Sequence, residues 1–305
     1  MRCVSRLSCA ALSLILLLWG VAGLSIRPAF AAPFFFSTGD PDGRMATGSR
    51  PPSPGKIEIE SADDFILNST TQIDSATFTG LLPLGFPLPG IEGVRVEIYR
   101  VFPQDSTSPP SGRVPTRVNS PSDVKFDARD TAAGSLTFSA ADLGVFVVSN
   151  TVLNGIHPVP NQQTGGEGPA TGEEVQLNAQ FTTPLTLPAD HYFFVPQVQL
   201  SSGDFLWLSA PRPIVPPGTP FSPDLEEWIR NADLAPDWLR VGTDIVGGTT
   251  FNATFSLTGE TVPEPSTVLL MLSGLSLLAW RGTRARPRPP VRGRAGRETP
   301  GGSRH

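Results

Sequence analysis

Cysteine is nearly absent: the 305 residues hold two, Cys3 and Cys9, both within the first ten positions. The remainder has neither a disulfide framework nor a thiol nucleophile, and its fold must rest on core burial alone. Histidine is almost as scarce, with His157, His191 and His305 each isolated, so no paired-histidine zinc motif exists. Charged residues are 17% of the chain. No G-x-S-x-G elbow, Walker sequence or dinucleotide fingerprint occurs. Gly165-Gly166-Glu167-Gly168 lacks the following lysine, and its acid repels phosphate, so 164–174 reads as a loop.

Proline and glycine are abundant instead, 33 and 30 residues. About a fifth of the chain is thus turn-forming, against a usual share of roughly an eighth, which excludes a coiled coil or long-helix protein. Hydrophobic residues still make up 39%, enough to build a core.

Charge is unevenly placed. Residues 1–32 carry +3, and residues 281–305 carry +7 from eight arginines and Glu298. Residues 33–280 hold 12 basic and 27 acidic residues, a net −15. A body this acidic repels a phosphate backbone, so no nucleic-acid partner is expected.

The N-terminus reads as a signal peptide over 1–31. Arg2 and Arg6 form the charged region, 10–19 the apolar stretch, and Ala29-Phe30-Ala31 the small-x-small site. An uncleaved anchor is the competing reading. A Gly- and Pro-rich segment, 32–55, is expected to be a flexible arm or linker.

Between 56 and 259, apolar residues recur with period 2. Val94, Val96 and Ile98 form one stripe, Val175, Leu177, Ala179 and Phe181 another, and Phe251, Ala253, Phe255 and Leu257 a third. Runs at 145–148, 192–195 and 205–208 suit strands buried on both faces. Turn clusters separate them. This predicts an all-β fold, an antiparallel β-sandwich or jelly roll. One short helix is expected after Ser222 and Pro223, because Leu225, Trp228 and Ile229 fall at i, i+3 and i+4.

Near the C-terminus, Val262-Pro263-Glu264-Pro265-Ser266 precedes the mostly apolar 267–280, and Arg281, Arg284, Arg286 and Arg288 follow. This order, over 262–288, resembles the PEP-CTERM sorting signal of Gram-negative envelope and exopolysaccharide-producing bacteria. The resemblance implies recognition of Pro263, Glu264 and Pro265 by an exosortase-type membrane protease. It also implies temporary anchoring in the inner membrane by a transmembrane helix at 267–280, retention by the four arginines, and delivery to the cell surface or extracellular matrix. Basic residues after a span stay cytoplasmic, which agrees. Thirteen residues, 268–280, reach about 20 Å, so Ser266–Thr267 and a snorkelling Arg281 must lengthen the span. Residues 289–305 read as a disordered basic tail. Ala62-Asp63-Asp64-Phe65, Ile73–Gly80 and Leu187–Phe193 also resemble strand pairs in jelly-roll domains of other PEP-CTERM proteins.

Chemistry inside the body is sparse. Asp40 and Asp42 on a tight turn, with Asp63 and Asp64, offer hard oxygen ligands of the kind calcium takes. Turn-forming aspartates without metal are the competing reading. Tyr192, Trp207, Trp228 and Trp238 could present flat faces to sugar rings, or could pack in the core. No catalytic residue is assigned. The expected role is a non-catalytic envelope or matrix protein in an exopolysaccharide setting, with a carbohydrate-binding module second and a glycoside hydrolase third.

Overall fold

The computed structural model describes residues 31–157, 162–211, 224–262 and 274–276. The expected signal peptide up to residue 30, and the sorting segment and arginine tail from Pro263 onward apart from 274–276, lie outside these. Residues 274–276 form an exposed helical turn. Among the described residues no helix is long and apolar enough to cross a membrane.

The alternating segments are strands. In chain order they are β1 (Pro33–Ser37), β2 (Ala46–Gly48), β3 (Ile59–Leu67), β4 (Thr71–Leu82), β5 (Ile91–Val101), β6 (Pro121–Asp130), β7 (Leu136–Val148) and β8 (Thr151–Val152). The second half contributes β9 (Ala170–Leu187), β10 (Asp190–Leu200), β11 (Leu206–Ala210), β12 (Trp228–Asn231), β13 (Leu239–Arg240), β14 (Asn252–Ala253) and β15 (Phe255–Thr261). They form two sheets, antiparallel except for the short β2–β8 pair, and thus an all-β sandwich.

In the first sheet β4 is the pivot. Its entire length pairs with β9, and β7 lies beyond β9. Its other side pairs with β15 along most of the strand, then with β11 at Gly80 and Leu81. Gly80 is required there, because a Cβ would lie 2.2 Å from the Phe205 ring. β1 closes the sheet by pairing with β15, Phe36 opposite Leu257. The second sheet runs β13-β12-β3-β10-β5-β6.

The facing stripes make the core. Phe36, Phe65, Phe78, Phe194, Trp207 and Phe255 are buried together, with the Phe194 and Phe255 rings stacked at 4.9 Å. Successive residues of β10 point to opposite sides: Tyr192 and Phe194 enter this core, while Phe193 and Val195 enter a second layer. That layer adds Ala62, Tyr99, Leu225, Trp228 and Trp238 on the outside of the second sheet. It surrounds a buried ionic group in which Arg230 Nε contacts Glu60 Oε2. The Tyr99 hydroxyl there lies 2.8 Å from Glu60 Oε1 and 2.9 Å from Glu97 Oε2.

Two expectations are corrected. The segment read as a helix is strand from Trp228 to Asn231: Trp228 pairs with Ala62 and Ile229 with Ser61. Both faces of β12 are buried, so the spacing that suggested a helical face instead fills two separate clusters. The helical turns are short, at Leu88–Gly90 and Val241–Val246. Residues 32–55 are not a detached arm, since they supply β1 and β2, and Met45, Ala46 and Thr47 are fully buried. Their glycines and prolines shape the turns between these strands.

Candidate functional site

The two ends of the sandwich domain leave the fold side by side. Pro33 of β1 pairs with Glu260 of β15. Thr261 N–H donates to the Ala32 carbonyl at 2.8 Å, and Ala32 N–H donates to Thr261 Oγ1 at 3.1 Å. Val262 N–H donates to the Thr70 carbonyl at 2.7 Å. The folded part is therefore pinned up to the residue that precedes Pro263, Glu264 and Pro265. Those three, with Arg281, Arg284, Arg286 and Arg288, lie outside the described residues.

The four aspartates do not form one ligand set. Asp63 and Asp64 are consecutive on β3, so their side chains leave opposite faces. Asp63 Oδ2 accepts the Ala253 N–H at 2.8 Å; Asp64 Oδ1 accepts the Leu225 N–H at 2.9 Å, and its Oδ2 lies 2.6 Å from His191 Nε2. Burial drives both acids up. Asp63 rises well above the usual range, helped by Asp64 and Glu227, while Asp64 reaches about 6 against the opposing pull of His191. Asp42 Oδ1 instead accepts from Arg44 N–H and from Ser209 Oγ, while Asp40 is exposed. Among the described residues no three His, Cys, Asp or Glu side chains gather as a metal site. These carboxyls clamp loops to sheets. Glu227 joins them: it is fully buried, accepts from Thr47 Oγ1 at 2.5 Å, and burial raises it to about 8.

The aromatic quartet is core. Tyr192, Trp207, Trp228 and Trp238 are at most 2% exposed, leaving no ring face for a sugar. Tyr192 OH donates to the Pro188 carbonyl and Trp207 Nε1 to the Thr254 carbonyl. The Arg230 guanidinium lies 4.1 Å from the Trp238 ring centroid, where a ligand would have to sit. Tyr192 and Trp207 lie in the core between the sheets, and Trp228 and Trp238 in the second layer outside the second sheet.

A different surface has the features of a contact site. The residues of the first sheet that alternate with the core stripe lie in register across five strands. One row runs Phe35, Thr258, Ser75, Gln180, Thr137, and the next runs Ser37, Ser256, Thr77, Asn178, Ser139. Thr79, Gln176 and Ala141 begin a third. Bulges bound this patch, at Ile73–Ser75 and Thr258–Gly259 on one side and at Asp142–Gly144 on the other. Ser75, Thr77, Thr137, Ser139, Asn178 and Gln180 line a shallow groove of about 380 Å³. Thr77 Oγ1 donates to Asn178 Oδ1 at 2.9 Å, and Gln180 Nε2 donates to the Asp74 carbonyl at 3.1 Å. Gln176, Asn178 and Gln180 were legible as the polar partners of the Val175–Phe181 stripe. Their alignment with three other strands was not, because register is a tertiary property.

Comparison with known proteins bears on the C-terminal segment. Residues 261–286 match the PEP-CTERM protein-sorting motif. This supports an exported protein sorted through a membrane-anchored stage and processed by an exosortase. No curated protein and no solved structure matches the chain.

Proposed function

We propose that this chain is a non-catalytic component of the cell envelope or extracellular matrix, delivered by an exosortase-type system and working in an exopolysaccharide setting. The observation that carries this reading is where the sorting motif begins. It starts at Thr261, the last residue of β15. A cut beyond Val262 frees the sandwich with every strand in place, and the hydrogen bonds from Thr261 and Val262 keep the closing edge sealed.

The test is Glu264→Ala in the full chain, followed by fractionation of cells and medium. The wild type should appear as a shortened form at the surface or in the medium. The variant should remain full-length in the membrane fraction. Normal processing and placement of the variant would refute recognition through the Pro-Glu-Pro segment.

A second reading, a surface carbohydrate-binding module, is favoured by the uncharged hydroxyl and amide face. Such groups donate and accept hydrogen bonds as sugar hydroxyls do.

A further inference from the structure

We infer that the five-strand face of the first sheet binds a neutral polysaccharide chain lying across the strands, from Phe35 toward Thr137 and Ser139. The inference rests on the carbohydrate-binding reading and assigns to it a site and a ligand class. Apart from the buried Thr79, twelve side chains make up the three rows, and ten are Ser, Thr, Asn or Gln; the others are Phe35 and Ala141. None is charged. The chain as a whole is 17% charged, so about two charges would be expected over this many positions.

Chemistry selects the ligand. Ser75, Thr137, Ser139, Gln176, Ser256 and Thr258 make no side-chain hydrogen bond within the described residues, so their donors and acceptors face outward uncommitted. Asn178 Oδ1 is held by Thr77, which fixes the amide and leaves its NH2 to donate. At one end of the first row Phe35 is 44% exposed and offers an apolar ring on which a sugar face can stack. The groove lies over β4, β9 and β7, two steps or about 10 Å across, and the face continues over β15 and β1 to about 19 Å, with adjacent rows about 6.8 Å apart, room for an extended oligosaccharide. An anionic polymer meets no cation here and is repelled by a body of net charge −15. A neutral one meets only hydrogen-bonding groups.

The experiment is affinity electrophoresis of the full chain in mild detergent. The gels contain dextran, a soluble β-1,4-glucan, galactomannan or xylan, with alginate as the anionic comparison. At least one neutral polymer should retard the wild type and alginate should not. Ser139→Glu should weaken the retarding interaction about tenfold or more, through lost hydrogen bonding and an unpaired charge in the groove. Val118→Glu makes the same charge change on an exposed loop of the other sheet and should bind as the wild type. Equal melting temperatures would show that both variants fold. Four results overturn the inference: no retardation by any neutral gel, retardation by alginate alone, undiminished binding by Ser139→Glu, or a glycan-free dimer that this substitution dissociates. Failure here, with Glu264→Ala still mislocalised, would remove the binding face and leave the sorting and envelope reading in place.

Discussion

At the scale of single residues, the buried acids make stability depend on pH in an unusual direction. Glu227 has a folded value near 8 against an ordinary 4.5, because burial penalises its charged form. Between those values the folded chain holds a proton that the unfolded chain has released, so stability falls as pH rises. Asp64, raised to about 6, adds to the same slope over the lower part of the window. Melting temperature should therefore decrease between pH 5 and pH 8. Glu227→Gln should flatten much of that slope, since the amide stays neutral and its oxygen can still accept from Thr47. An unchanged slope would place the titration elsewhere. Arg230 is the opposite case, a buried cation held by Glu60 and beneath Trp238. Arg230→Met should cost roughly 3–5 kcal/mol in denaturant unfolding, because it leaves Glu60 buried without its partner. Adding Glu60→Gln should recover part of that loss.

At the scale of elements, β1 matters out of proportion to its five residues. Phe36 packs its ring 5.2 Å from that of Phe255 and 6.0 Å from that of Phe65. Beginning the folded part at residue 38 would delete this ring and bare the β15 edge. The loss should be at least that of a buried Phe→Ala change, about 3–5 kcal/mol, with aggregation through the opened edge. Denaturant titration and light scattering would check both. Sequence alone did not mark β1, since Pro33-Phe34-Phe35-Phe36 shows no alternation. What it did mark follows a pattern: β9 and β15 each have one core face and one outer face, and in β5 the residues alternating with Val94, Val96 and Ile98 are Arg95, Glu97 and Tyr99, polar even where the second layer buries them, so period 2 survives in all three. β12 has two buried faces, and its periodicity was lost to a helix-like coincidence. β6 was missed, as Val124, Phe126 and Ala128 alternate among charged residues on an edge strand that is only half-buried. In β7 the run 145–148 is not buried on both faces, since Val145 and Val147 are exposed, and Leu143 is an extra residue at a bulge that shifts its register. The sorting motif was legible because its information lies in linear order, whereas the polar face required four strand registers.

At the scale of the whole molecule, a sandwich of net charge −14 over 33–262 presents one surface without charge, and the two ends of the folded part meet on one edge. The Glu264→Ala and Ser139→Glu variants separate these two properties: the first should change where the protein goes, the second only what it holds. The meeting of the ends also has a consequence in time. β1 follows the predicted export signal directly, yet its partner β15 is the last strand to be made and translocated, more than 200 residues later. Pairings so distant in sequence form late in folding. The first strand must therefore wait, unpaired, while the rest of the chain crosses the membrane. The β1–β15 seam can close only after its last strand has emerged, at the point in the chain where the sorting motif begins.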